Sequence, residues 1–433
     1  MMGDFRCRLG WRSSLLAIIA IVAGACADAP TACGDGLCSE IESVEGCSSD
    51  CDFDVVVVVE TELYEPLEPH LTAYLEGLLT EGFKGYVLTF DPAPVSELKA
   101  LLVEQYDRHN IGGAFLVGDL PAAWYEQEAL NELPEEFPMD LYLQDLDPVF
   151  SDTNGNDRFD THTPLGLEIY TSRVMGEVSQ LQTYFDRVNR FRREGHLVEP
   201  SAFVFVDDTW AQQGLAAVYG LDRIYDFDFD KDIIFDPSKS TQDAYVQQLT
   251  DDGAEFVFQM IHSGATYLSF GGVGGGVLFA NQIRLHNFQA SFVHLWNCSA
   301  ARFTKDSNLG MIYTVENDQG LGAIGSTKEG AVQRPGILHS RLARSEPIGE
   351  AFRYWYNTYG FSSDKWHLGI VVLGDPMLIV YGEVTGMLER ELSVAAGPES
   401  LEWMETIFRE QAAPPDLDTF EDYKLAHPEF FRD

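Results

Sequence analysis

Short, unbroken apolar blocks alternate along this chain with longer stretches in which apolar residues return every third or fourth position. Val55-Val-Val-Val-Val59 is the plainest block, and its β-branched run predicts a strand buried on both faces. Residues 65–83 carry apolar positions at helical spacing, 86–90 form a second block, and 94–110 form an amphipathic helix opened by Pro94. Ala114-Phe-Leu-Val117 is a third block, ending at Gly118-Asp119. A loop-rich stretch runs from 121 to 167. Strand Glu168-Ile-Tyr-Thr-Ser172 and a helix over 179–194 follow. Such alternation implies an α/β fold, with mostly parallel strands flanked by helices.

The polar segment 193–200 separates this set from a second, which begins at Phe203-Val-Phe-Val206 and closes over 369–381. The expected organisation is one α/β subdomain over 54–200, another over 201–382, and a polar tail over 383–433 with a helix near 399–411. A chain of 433 residues can hold two or three domains, and its 45% hydrophobic content is ordinary for a globular protein.

Two buried-strand patterns end in chemistry. Glu255-Phe-Val-Phe-Gln-Met-Ile261 stops at His262-Ser263-Gly264, and the run from Phe292 stops at the polar tripeptide Asn297-Cys298-Ser299. Ends of parallel strands meet at one crevice, and a lone thiol delivered beside an imidazole is the minimum equipment of a cysteine nucleophile. His294 is nearer in sequence, but four extended residues span about 13 Å, too far for proton transfer. His262 is therefore the expected partner. The N–H groups of Gly264 and Cys298 could form an oxyanion hole. Trp296 shares a strand face with Cys298 and reads as core.

The remaining six cysteines all lie within the first 51 residues. Arg6, Arg8 and Arg12 precede the apolar core 15–22 and the small residues Ala23-Gly24-Ala25, the signature of a secretory signal over 1–26. Small residues before Cys26 resemble a lipobox that would lipidate Cys26, although Ala23 stands where an aliphatic residue is usual; simple cleavage fits as well. Cys33, Cys38, Cys47 and Cys51 then fall in a spacer over 27–53. On an exported chain they read as two disulfides stapling a segment too small for its own core, with a four-cysteine zinc site as the alternative. Any membrane association is expected to run through the N-terminal lipid alone. The net charge of −41 repels nucleic acid and anionic lipid and excludes a nucleic-acid partner.

Asp152, Asn154, Asn156 and Asp160 occupy positions one, three, five and nine of a calcium-loop pattern, so structural Ca2+ is a candidate cofactor and none is needed for the chemistry. Asp157 replaces the glycine of that pattern and Thr163 its final acidic residue, so the stretch also reads as a plain turn. The run 271–276 has five glycines in six positions but lacks the lysine of a phosphate loop, and it reads as a wall of the cleft or a simple loop. No Gly-x-Ser-x-Gly or His-Glu-x-x-His motif supports a serine hydrolase or a zinc peptidase.

Taken in order, Gly118-Asp119, Asp140-Leu-Tyr142, Asp145-Leu-Asp147, Glu168-Ile-Tyr-Thr-Ser-Arg173, His262-Ser-Gly264, Asn297-Cys298-Ser299, Ala323-Ile-Gly-Ser326 and Leu373-Gly-Asp-Pro-Met-Leu378 resemble the gingipain family of cysteine peptidases. The resemblance spans roughly 54–382. It implies a caspase-like fold of two adjacent, mostly parallel sheets and polypeptide substrates. It further implies Cys298 as nucleophile, His262 as general base and acid, Gly264 as an oxyanion donor, and Asp207 or Asp208 in support of the histidine. Some relatives bind calcium. A carboxylate for a basic primary pocket, the long propeptide and the C-terminal immunoglobulin-like domain have no counterparts in the sequence. The alternatives are a surface binding protein that keeps the fold without activity, and an acyltransferase or ligase on the same scaffold.

Overall fold

A computed structural model describes residues 52–211, 220–226, 231–272 and 274–381. The signal, Cys26, the four spacer cysteines and the tail lie outside the described residues.

The strands are β1 (Val55–Glu60), β2 (Gly85–Phe90), β3 (Gly113–Val117), β4 (Ala123–Glu128), β5 (Pro134–Met139), β6 (Phe150–Ser151), β7 (Thr161–His162), β8 (Tyr170–Val174), β9 (Ala202–Val206), β10 (Ile233–Ile234), β11 (Ala254–Met260), β12 (His262–Gly264), β13 (Tyr267–Phe270), β14 (Gly276–Phe279), β15 (Ala290–Trp296), β16 (Gly322–Ser326) and β17 (Ile370–Gly374). Ten of them form a single sheet in the order β10-β9-β11-β15-β16-β17-β8-β3-β1-β2. All its pairings are parallel except β16 with β17.

The valine block behaves as its composition requires. Val55, Val57 and Val59 join one apolar core and Val56 and Val58 the other, so β1 is buried on both faces. The helix Thr61–Thr80 sends Leu67, Leu71, Tyr74 and Leu78 into the first core, and the helix Val95–His109 sends Leu98 and Leu102 into the second. The helix Val178–Glu194 covers the first core beside them, through Leu181, Tyr184, Phe185 and Val188.

The expected division into two sheets is replaced by one continuous sheet. β17 pairs antiparallel with β16 on one side and parallel with β8 on the other, with Val372 opposite Ser172 and Leu373 opposite Arg173. The last strand of the second half therefore closes the seam with the first. Buried Arg173 on β8 is held within the first half: its Nε bonds both Asp140 oxygens at 2.9 and 2.8 Å, and its other nitrogens donate to the Leu120 and Pro121 carbonyls. The stretch 121–167 is also more ordered than a loop, holding the hairpin β4–β5 and the short pair β6–β7. No helix among the described residues is long and apolar enough to cross a membrane.

Candidate active site

Parallel pairing of β11 with β15 sets the geometry. Met260 lies opposite Trp296 where the pairing ends, so His262 and Cys298 stand equally far beyond the ends of neighbouring strands. Such strands run about 4.8 Å apart. The strand carrying the thiol ends at Trp296, where its apolar run gives way to Asn297-Cys298-Ser299.

Side chains tie the two strand ends together. Ser263 Oγ donates to the Cys298 carbonyl at 2.6 Å. Asn297 Nδ2 donates to the Ile261 carbonyl, while Asn297 Oδ1 accepts from Gln259 Nε2 at 3.0 Å. Gln259 Oε1 in turn accepts from the Tyr245 hydroxyl at 2.5 Å. A buried polar chain with these partners satisfied fixes one arrangement of the strands. Past the thiol, Ser299 takes the left-handed region at φ 56°, a strained setting for a residue with a side chain. Its N–H donates to the Lys328 carbonyl at 2.7 Å, which holds the turn and leaves Cys298 half-buried at its start.

Burial pushes the Cys298 thiol up to about 11, and the Glu329 and Glu135 carboxylates push the same way; the Gly330 N–H and the Lys328 ammonium oppose them. Lys328 is fully buried, donates to the Glu329 and Lys365 carbonyls, and lies 3.8 Å from Glu135. Burial lowers the Lys328 pKa, with Glu135 countering it. Neither Lys328 nor Glu135 carried a motif that would have flagged it. Both reach the thiol only because the hairpin β4–β5 and the turn after β16 fold over it.

His262 lies against Trp210, with ring centroids 4.3 Å apart. Its Nε2 is 3.2 Å from Thr209 Oγ1, which also donates to Asp208 Oδ1 at 3.4 Å. With the hydroxyl proton directed at Asp208, Nε2–H donates to Thr209 and Nδ1 is the basic nitrogen. Burial lowers His262 to about 4. The resting pair at neutral pH is therefore a thiol beside a neutral imidazole. Trp296 is buried in the core, as expected, and its ring meets Trp210 at 5.2 Å and Trp366 at 6.1 Å.

Other candidate residues take different places. Asp207 is buried, and its two oxygens lie 2.9 and 3.2 Å from the Gly271 N–H, so it anchors the loop after β13. Burial raises it to about 7, against the backbone N–H of Gly271. Asp208 reaches His262 through Thr209. Gly264 has the Tyr267 ring 2.4 Å from where a Cβ would stand, which explains the glycine by packing. The glycine run connects β13 to β14, with φ of 99°, 55° and 138° at Gly274, Gly275 and Gly276. His294 points into the core, its Nδ1 2.9 Å from His339 Nε2.

The Asp152 loop turns its oxygens inward. Asp152 accepts from the N–H groups of Gly155, Asn156 and Asp157, and Asp160 accepts from the Thr153 N–H and hydroxyl. The Asn154 and Asn156 amides donate to Glu126. This is the bonding of an Asx turn. The chain matches no protein-family model and no curated protein.

Proposed function

We propose that this protein is an exported cysteine endopeptidase of gingipain type, with a caspase-like arrangement of its α/β sheet. The observation that carries the reading is the delivery of His262 and Cys298 by adjacent parallel strands at one level, locked by the Ser263 to Cys298 hydrogen bond. In the proposed reaction His262 Nδ1 takes the Cys298 proton as Sγ attacks the scissile carbonyl. The peptide C–N bond breaks, the amine leaves with the proton from His262, and a thioester remains. Water, deprotonated by His262, then releases the acid and returns the thiol. Thr209 orients the imidazole, and the N–H groups of Gly264 and Cys298 are the proposed oxyanion donors. Trp210, itself packed on Trp296, backs the imidazole of His262.

One observation favours a second reading, a binding protein without turnover: the thiol is pushed up to about 11 and lacks a preformed thiolate. Profiling the full chain on a peptide library separates them. Cleavage abolished in both Cys298→Ala and His262→Ala supports the peptidase; identical cleavage by wild type and Cys298→Ala, or none by any form, rejects it.

A further inference from the structure

Lys328 lies just past β16 with its side chain fully buried, and a buried ammonium is costly unless its hydrogens find acceptors. The Glu329 and Lys365 carbonyls accept two of them. Glu135 adds a counter-charge at 3.8 Å, beyond hydrogen-bond length. That carboxylate is itself fixed, its Oε1 accepting from the Glu329 N–H at 2.7 Å.

The same turn reaches the nucleophile. The Lys328 carbonyl accepts at 2.7 Å from the N–H of Ser299, the residue after Cys298. Two residues on, Gly330 takes φ 153°, and a Cβ there would stand 2.4 Å from the Trp366 carbonyl oxygen and 3.4 Å from Lys328 Nζ. Only glycine lets the chain approach both, and in this position its N–H bonds the Cys298 sulfur. A backbone donor and an ammonium therefore lie side by side at the thiol, and Lys328 and Cys298 act on each other's ionisation. The other charged groups here are Glu329 and Glu135, which both resist thiolate formation, and Lys365 beyond Lys328.

We propose that the turn 328–330 is the thiolate-holding element of the site, with the Gly330 N–H as donor to Sγ and the Lys328 ammonium as a positioning charge that favours the anion. This deepens the peptidase reading, on which its part in catalysis rests; the charge at the thiol can be read without turnover. When the S–H bond breaks and the proton passes to His262 Nδ1, the charge left on sulfur meets this donor and this ammonium. Glu135 then has two effects. It keeps Lys328 protonated, and with Glu329 it holds the resting nucleophile as a thiol until the base acts.

The test is the rate of alkylation of Cys298 in the full chain without substrate, between pH 7 and 9.5, by iodoacetamide and by the bulkier N-ethylmaleimide. Only the thiolate reacts, so a change in ionisation alters both rates by one factor, whereas a change in packing alters them unequally. Lys328→Met should displace the line of log rate against pH by about one pH unit to the alkaline side, a roughly tenfold loss with either reagent. Should that variant fail to fold because it strands Glu135, Lys328→Met/Glu135→Gln is compared with Glu135→Gln and should show the same displacement. Labelling as fast as, or faster than, that of the matching parent, or slowing confined to the bulkier reagent, would overturn the assignment. Peptide cleavage is measured separately on the same proteins: none by any form, with labelling displaced as expected, rejects the peptidase and still supports the thiolate-holding turn.

Discussion

Replacing Asp207 by Asn separates two roles that a carboxylate beside a candidate catalytic histidine can have. Asp207 is 0% exposed and accepts from Gly271 N–H, and burial lifts it from 3.8 to about 7. At ~1.4 kcal/mol per unit, that rise corresponds to about 4 kcal/mol. The folded state holds a proton that the unfolded chain has released, so this stabilisation is present below about pH 4 and is lost as pH rises through about 7. Asn keeps one oxygen for Gly271 and carries no charge. Allowing about 1 kcal/mol for altered hydrogen bonding, Asp207→Asn should be about 2–3 kcal/mol more stable than wild type near pH 8 and no more stable near pH 4. Urea unfolding of both proteins across that range measures the difference directly. Parallel stability curves would refute the burial argument. Peptide cleavage provides the second arm: an anchoring residue replaced this way should leave turnover within a few-fold. A fall on the order of 10⁴, as when a histidine-orienting carboxylate is lost, would show that Asp207 serves His262 after all.

With the thiol near 11 and the imidazole near 4, iodoacetamide labelling of Cys298 without substrate should climb into the alkaline range; a plateau below pH 8 would indicate a preformed ion pair. Thr209→Val removes the oxygen beside His262 Nε2. A hydrogen bond of about 0.5–1.5 kcal/mol predicts a several-fold loss of kcat/KM with KM little changed, checked by steady-state kinetics. Arg173→Ala strands the buried Asp140 carboxylate and should destabilise by about 3–5 kcal/mol, read by chemical denaturation.

Several elements were legible in the chain because their information is local. The Val55–Val59 strand, the helices after it and the run before His262 appear within a residue or a few of their expected bounds. Rejecting His294 also needed only strand spacing, and its burial against His339 agrees. What escaped the sequence was long-range. β17 bridges the halves across an intervening helix-rich segment, so the single sheet has no local signature. Lys328, Glu135 and Thr209 belong to no motif, yet they surround the thiol and imidazole.

By itself the sequence determined which segments must be buried, since apolar periodicity and β-branched runs act within a few residues. It also singled out the two strand ends that carry His262 and Cys298. Tertiary structure alone decided that these ends lie side by side and which residues tune them. Those outcomes depend on register between distant strands and on burial, which raises the Cys298 thiol and lowers the His262 imidazole, and neither quantity is written in any local stretch of the chain.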